Sequence, residues 1–134
     1  MKKKILIVAS NYYKKITSSL ISNGLKTLKK ENSLIKIIKV SGTFEIPVII
    51  SKNIKKYDGF VVLGCVIKGE TPHFDFICSS VFNGLINISI NSKKPIGNGI
   101  ITCLNMSQAL KRSKNKGSEA AIAILDILKN GQFK

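Results

Sequence analysis

Four short apolar runs recur along this chain, each followed by a segment with helical periodicity. That alternation constrains the fold more than any other feature. Residues 5–9 (ILIVA) read as a buried strand. Ile16, Leu20, Leu25 and Leu28 then recur at helical spacing, with Ser18, Ser19, Asn23 and Lys26 on the opposite face. Residues 34–40 (LIKIIKV) alternate like a strand, and residues 45–56 read as helical. Residues 59–67 form the most apolar strand, and a long helix is expected over 73–92. That helix is apolar nearly all round (Ile77, Val81, Phe82, Leu85, Ile86), which implies burial on two sides, against a core and a neighbouring subunit. A fourth strand over 96–104, a short helix over 105–112 and a last helix starting near Ser118 complete the pattern. Repeated β-α units predict one α/β domain over residues 1–134: a four-stranded parallel sheet between two helical layers, with right-handed crossovers.

In open parallel sheets a ligand sits beyond the carboxyl ends of the strands. The unusual residues of this chain fall there. Asn11, Tyr12 and Tyr13 follow the first strand, and Ser41-Gly42-Thr43-Phe44-Glu45 the second. Lys68-Gly69-Glu70-Thr71-Pro72-His73 follows the third, and residues 102–105 end the fourth.

His73 is the only histidine, and among 22 basic residues Arg112 is the only arginine. A guanidinium gives a planar, bidentate grip on an anion that lysine cannot supply. A cation at a helix end is also favoured by the dipole with no function at all. An imidazole moves protons near neutral pH. A satisfied structural histidine is the alternative. Gly69-Glu70-Thr71 is expected to open the helix that carries His73, offering backbone N–H groups and a hydroxyl to a phosphate, or only capping the first turn. Glu70 would repel a phosphate and is expected to point away. Tyr12 offers a face for a planar ring, or simple packing. Glu45 suits a helix start, and its carboxylate suits the hydroxyls of a polyol. Phe44 is expected in the core.

Composition removes several classes. The formal charge of +15 suggests nucleic acid, but the lysines are scattered and no basic stretch is interleaved with aromatics. Nucleic acid is not an expected partner; anionic small molecules are. Cys65, Cys78 and Cys103 form no Cys-x-x-Cys pair and read as reduced thiols in a cytoplasmic protein. Histidine and cysteine are too few for a metal site. No apolar stretch reaches the roughly 18 residues a membrane span needs, and the start reads as a strand, not as a signal peptide. The last helix, over 120–128, is apolar except for Asp126, more than so small a chain hides alone. A homo-oligomer follows.

The motifs together resemble the lumazine synthase family. Val40-Ser41-Gly42-Thr43-Phe44-Glu45-Ile46-Pro47 is similar to the family segment V-P-G-[AS]-[FW]-E-[IL]-P. Residues 64–75, GCVIKGETPHFD, are similar to G-x-V-I-[RK]-G-x-T-x-H-[FY]-[DE]. Residues 95–102, PIGNGIIT, with Gln108, Ala109 and Arg112, resemble P-[IV]-x-x-G-[IV]-[LIV]-T and Q-A-x-x-R. Lys116-Gly117 and Glu119-Ala120-Ala121 resemble [NK]-K-G-x-E-A-A. The resemblance implies flavodoxin-like winding and the penultimate step of riboflavin synthesis. A ribitylamino-uracil condenses with 3,4-dihydroxy-2-butanone 4-phosphate to give 6,7-dimethyl-8-ribityllumazine, with no cofactor. It implies that Tyr12 stacks on the pyrimidine, and that Thr43, Phe44 and Glu45 hold the ribityl chain and ring edge. It also implies that Cys65, Val66 and Ile67 present backbone groups, that Glu70 and Thr71 hold phosphate, that His73 moves protons and that Arg112 pairs with phosphate. A pentamer or larger assembly is implied, with sites between subunits, so that Asn98 and Arg112 act on the neighbour's substrate; riboflavin synthase is a candidate partner. Ser41 stands where the family has Pro, Thr43 where Ala is common, and Asn98 where an aromatic is frequent. A non-catalytic relative that binds flavin or lumazine, or forms only a shell, is the competing reading.

Overall fold

The computed structural model describes residues 2–130. The ends of the expected 1–134 domain, residue 1 and residues 131–134, lie outside them. Nine strands and α-helices run along the described residues: β1 (Lys4–Ser10), α1 (Lys14–Lys30), β2 (Leu34–Val40), α2 (Ile46–Lys52), β3 (Gly59–Ile67), α3 (His73–Ser92), β4 (Ile96–Cys103), α4 (Met106–Arg112) and α5 (Lys116–Asn130). A 3₁₀ turn, Thr43–Glu45, leads into α2. The four strands pair in parallel in the order β2-β1-β3-β4. The expected α/β architecture is the one observed.

Alternation along the central strands divides the core into two layers. Ile5, Ile7 and Ala9 of β1 and Val61, Leu63 and Cys65 of β3 pack with Ile16, Leu20 and Leu28 of α1 and Ala120, Ala121 and Ile124 of α5. Leu6, Val8, Phe60 and Val62 point the other way, onto Ile46 and Ile50 of α2 and Val81 and Leu85 of α3. Each Val, Leu, Ile or Phe side chain so buried contributes about 1.5–3 kcal/mol. β1 and β3 carry most of the core because they are the inner strands. β2 lies on one edge and leaves Leu34 and Ile37 exposed.

Two expected segments differ from the structure. The helix over 45–56 stops at Lys52, because the Asn53 side chain turns back to donate to the Ile49 carbonyl at 2.8 Å and residues 53–56 form turns. Gly69-Glu70-Thr71 does not open α3. Pro72 is its N-cap, and a residue before proline is disfavoured in the helical region, so these three residues remain a loop and His73 is the first helical residue.

The last two helices are fixed by side-chain caps. Asn105 Oδ1 accepts from the Gln108 backbone N–H at 2.9 Å, and Gln108 Oε1 accepts in turn from the Leu104 N–H at 2.8 Å. This reciprocal cap starts α4, and Ala109 then packs into the core. Asn23 of α1 reaches across to α5: its Oδ1 accepts from Ser118 N–H at 2.6 Å, and its Nδ2 donates to the Ser113 carbonyl at 2.7 Å.

Candidate active site

β1 leads to β2 on one side of the sheet, whereas β3 pairs on the other side of β1. The switch point therefore lies at the carboxyl ends of β1 and β3, where such sheets place ligands. A cleft of about 350 Å³ opens there, lined by Tyr12, Tyr13, Gly42, Thr43, Phe44, Cys65, Val66, Ile67, His73 and Ile77. Two loops, the end of β3 and the start of α3 thus meet around it, whereas residues 102–105 do not line it.

Tyr12 lies in the open mouth, with its ring edge-on to that of Tyr13 at 4.9 Å between centroids. Thr43 is buried at the floor, and Cys65, Val66 and Ile67 form the wall at the end of β3. Phe44, expected in the core, is 62% exposed at the rim. The 3₁₀ turn sends it outward, while Thr43 and Ile46 turn inward. Glu45 is exposed beside the cleft, and its carboxylate accepts from the Ser41 hydroxyl at 3.3 Å. His73 is exposed on the cleft, one turn before the half-buried Ile77. Its backbone N–H donates to Thr71 Oγ1 at 3.4 Å, so the Thr71 hydroxyl takes part in the loop turn. Glu70 is exposed in the same loop.

The cleft wall is chemically quiet. Burial first, then the charge and hydrogen bond of neighbouring Cys103, push the Cys65 thiol up to about 12, with Arg112 acting in the opposite direction. Cys65 is therefore a neutral wall group near pH 7. Burial, then Tyr12 and Cys65, raise Tyr13 above the ordinary tyrosine value, so its phenol stays protonated.

Arg112 and Asn98, both expected site residues, do not line this cleft. Arg112 Nη1 donates to the Thr102 carbonyl at 2.8 Å and lies 3.7 Å from Cys103 Sγ. These contacts hold the guanidinium at the carboxyl end of β4, in a depression with Lys111, Asn115, Lys116 and Glu119. Asn98 lies mid-strand on edge strand β4, beside a groove formed with Phe82, Leu85, Ile86, Ser89 and Ile96. Its Oδ1 accepts from the Ile100 N–H at 3.0 Å. Tyr13 and Ile77 line the cleft without having been singled out as site residues. Ile77 was within reach of sequence reasoning, since it follows His73 at helical i, i+4 spacing. Among the described residues no group of three or more His, Cys, Asp or Glu is placed to hold a metal ion, and no helix is long and apolar enough to cross a membrane.

Fold and cleft define an α/β ligand-binding domain whose site lies at the switch point of a parallel sheet, with one imidazole on its rim. Comparison with known proteins narrows this. A family model described as 6,7-dimethyl-8-ribityllumazine synthase matches residues 2–131. A protein of that name from Corynebacterium kroppenstedtii is 39% identical over 128 residues, 91% of this chain and 80% of the relative. Another, from Corynebacterium glutamicum strain R, is 34% identical over 129 residues, 92% of this chain and 81% of the relative. The chain belongs to the 6,7-dimethyl-8-ribityllumazine synthase family.

Proposed function

We propose that this protein condenses 5-amino-6-(D-ribitylamino)uracil with 3,4-dihydroxy-2-butanone 4-phosphate to give 6,7-dimethyl-8-ribityllumazine, the penultimate step of riboflavin biosynthesis. The observation that carries the reading is the meeting of His73, Thr43, Phe44 and the end of β3 around one cleft, in a chain of this family. The 5-amino group attacks the ketone and water leaves as an imine forms. Loss of a carbon-bound proton then expels inorganic phosphate. The resulting enol regains a proton as a ketone, and the ribityl-bearing nitrogen closes the ring with loss of a second water. The protein's work is positioning, proton transfer and charge stabilisation at the phosphate.

In this reading Tyr12 stacks on the pyrimidine, whose edge meets backbone groups of Cys65, Val66 and Ile67. Thr43, Phe44 and Glu45 hold the ribityl chain. His73 carries the proton away before phosphate leaves. Backbone groups at Glu70 and Thr71 cradle the phosphate, and Arg112 pairs with it. Arg112 and Asn98 do not line the chain's own cleft, which favours their service to a neighbour's substrate. The working form is a cytoplasmic homo-oligomer, a pentamer or larger, built from one domain per chain. Exposed Phe76, Ile86 and Ile90 on α3 and Val48 on α2 supply apolar surface for such contacts. Riboflavin synthase, which uses the product, is a candidate partner.

The test is direct. Both substrates are mixed with the purified oligomer, and lumazine absorbance and fluorescence are followed above the spontaneous rate. Product formation that depends on protein is expected, with kcat falling on the order of 100-fold in His73→Ala while the oligomer stays intact. A folded oligomer with no rate above background would make this a binding or scaffold protein.

A further inference from the structure

About half of the lysines of this chain gather at one edge of the molecule, the amino ends of the strands, opposite the cleft. Spread along the sequence they form no basic stretch; the fold brings them together. Lys2 and Lys3 lead into β1, which Lys4 opens. Lys55 and Lys56 lie in the turns before β3, and Lys93 and Lys94 precede β4. Lys29 and Lys30 close α1, Lys52 closes α2, and Lys129 lies in the last turn of α5. Backbone hydrogen bonds knit these loops into one surface. The Lys3 carbonyl accepts from the Leu34 N–H at 2.8 Å, the Lys4 carbonyl from the Asp58 N–H at 2.8 Å, and the Pro95 carbonyl from the Phe60 N–H at 3.0 Å. Four strands at the usual spacing put this edge within about 15 Å across the sheet.

Little negative charge balances it. Of the seven acidic residues, Glu45, Glu70, Asp75 and Glu119 lie at the opposite edge. Glu31 pairs with Lys129, and Asp58 Oδ2 accepts the Lys4 backbone N–H at 2.8 Å. Lys94 Nζ donates to the Ile54 carbonyl at 2.7 Å. The helix dipole accounts for the lysines at helix ends, Lys29, Lys30, Lys52 and Lys93. It does not reach Lys2, Lys3, Lys4, Lys55 or Lys56, and none of these five forms an ion pair among the described residues. All of the five except Lys3 are exposed. Like charges this close repel one another unless an anion covers them.

We infer that the amino edge of the sheet is a docking surface for nucleic acid, which it holds by the phosphate backbone without regard to sequence. This role does not depend on the proposed function, because edge and cleft lie at opposite ends of the strands. Lysine meets phosphate as a point charge. Asn32, Ser51 and Asn91, exposed among the lysines, are donors of the kind that contact phosphate and sugar. Among the described residues this edge has no arginine to read a base edge. It has no exposed aromatic side chain either, to stack on a base or to anchor in a membrane interface. Its contact with a nucleic acid is therefore electrostatic and steeply dependent on salt.

The experiment follows the anisotropy of a fluorescein-labelled DNA duplex of mixed sequence, about 20 base pairs long, titrated with the intact oligomer across a salt series. Five phosphate contacts give a slope of about −4.5 in log K against log salt, so affinity is expected to fall on the order of 500-fold for a fourfold rise in salt. Lys55→Glu combined with Lys56→Glu is expected to weaken binding at least about tenfold and to flatten the slope by about 2. Any lumazine formation should be unchanged in that variant. Lys111→Glu combined with Lys114→Glu makes the same charge change at the opposite edge. It is expected to leave duplex affinity within about twofold, since the edges lie more than a Debye length apart at about 0.1 M salt. No binding by the wild-type protein at about 0.1 M salt would overturn the inference. Equal losses in the two double variants would also overturn it, leaving only the net charge of +15. Vesicles containing phosphatidylserine that bind more tightly than the duplex, and lose binding in the Lys55, Lys56 variant, would make the edge a membrane surface and overturn it too. The condensation assay tests the proposed function separately, so either can fail while the other stands.

Discussion

Arg112 ends α4 and is tied to β4, with one guanidinium nitrogen on the Thr102 carbonyl. The rest of the fork is left exposed. That geometry suits an anion arriving from outside the chain. Lysine at this position keeps the charge and loses the fork. Arg112→Lys is expected to raise KM for the butanone phosphate about tenfold while KM for the pyrimidine changes less than about twofold, measured by steady-state kinetics with each substrate varied. Equal changes would remove the phosphate role. The single histidine and single arginine were legible in the sequence because the rest of the chain provides contrast. Tyr13 was harder to read, because Tyr12 and Tyr13 look alike until the turn into α1 half-buries one and leaves the other open.

At the scale of elements, strands and long helices followed from apolar runs and spacing. β2, β3 and α3 have the expected limits, because each ends at a change in local chemistry. The misread pieces are short ones, where a single residue decides. Pro72 holds Gly69-Glu70-Thr71 out of α3, and Asn53 ends α2 early. The motif around Gln108, Ala109 and Arg112 divides its labour: Gln108 caps the helix, Ala109 packs beneath it, and Arg112 is presented at its end. Gly117 has an element-scale role of its own. A Cβ there would run into the Leu20 carbonyl oxygen and the Asn23 side chain, where α1 and α5 cross. Gly117→Ala gains up to about 1 kcal/mol of helix propensity and loses more to overpacking. A net destabilisation of about 1–2 kcal/mol is expected, read as a lower thermal midpoint. A midpoint unchanged or raised would show that the crossing yields freely.

The whole molecule carries more apolar surface than one chain covers. α3 buries Val81 and Leu85, but leaves Phe76 and Ile90 about two-thirds exposed, at 66% and 65%. The all-round apolar pattern of that helix announced this, since one sheet face can cover only one side of a helix. The number of copies in a ring is set by the angle between neighbouring subunits, at which it closes. The site itself bears on assembly. His73 lines the cleft, whereas Arg112 and Asn98 lie outside it. The central claim is therefore that each working site takes His73 from one subunit and Arg112 from the next. Co-expressed His73→Ala and Arg112→Ala chains test it most directly. Each variant alone should be nearly inactive. Random mixing in a cyclic oligomer should restore about a quarter of the wild-type rate, since about a quarter of the interfaces then carry both intact residues. A mixture that assembles normally yet shows only the average of the two parent activities would contradict the shared site.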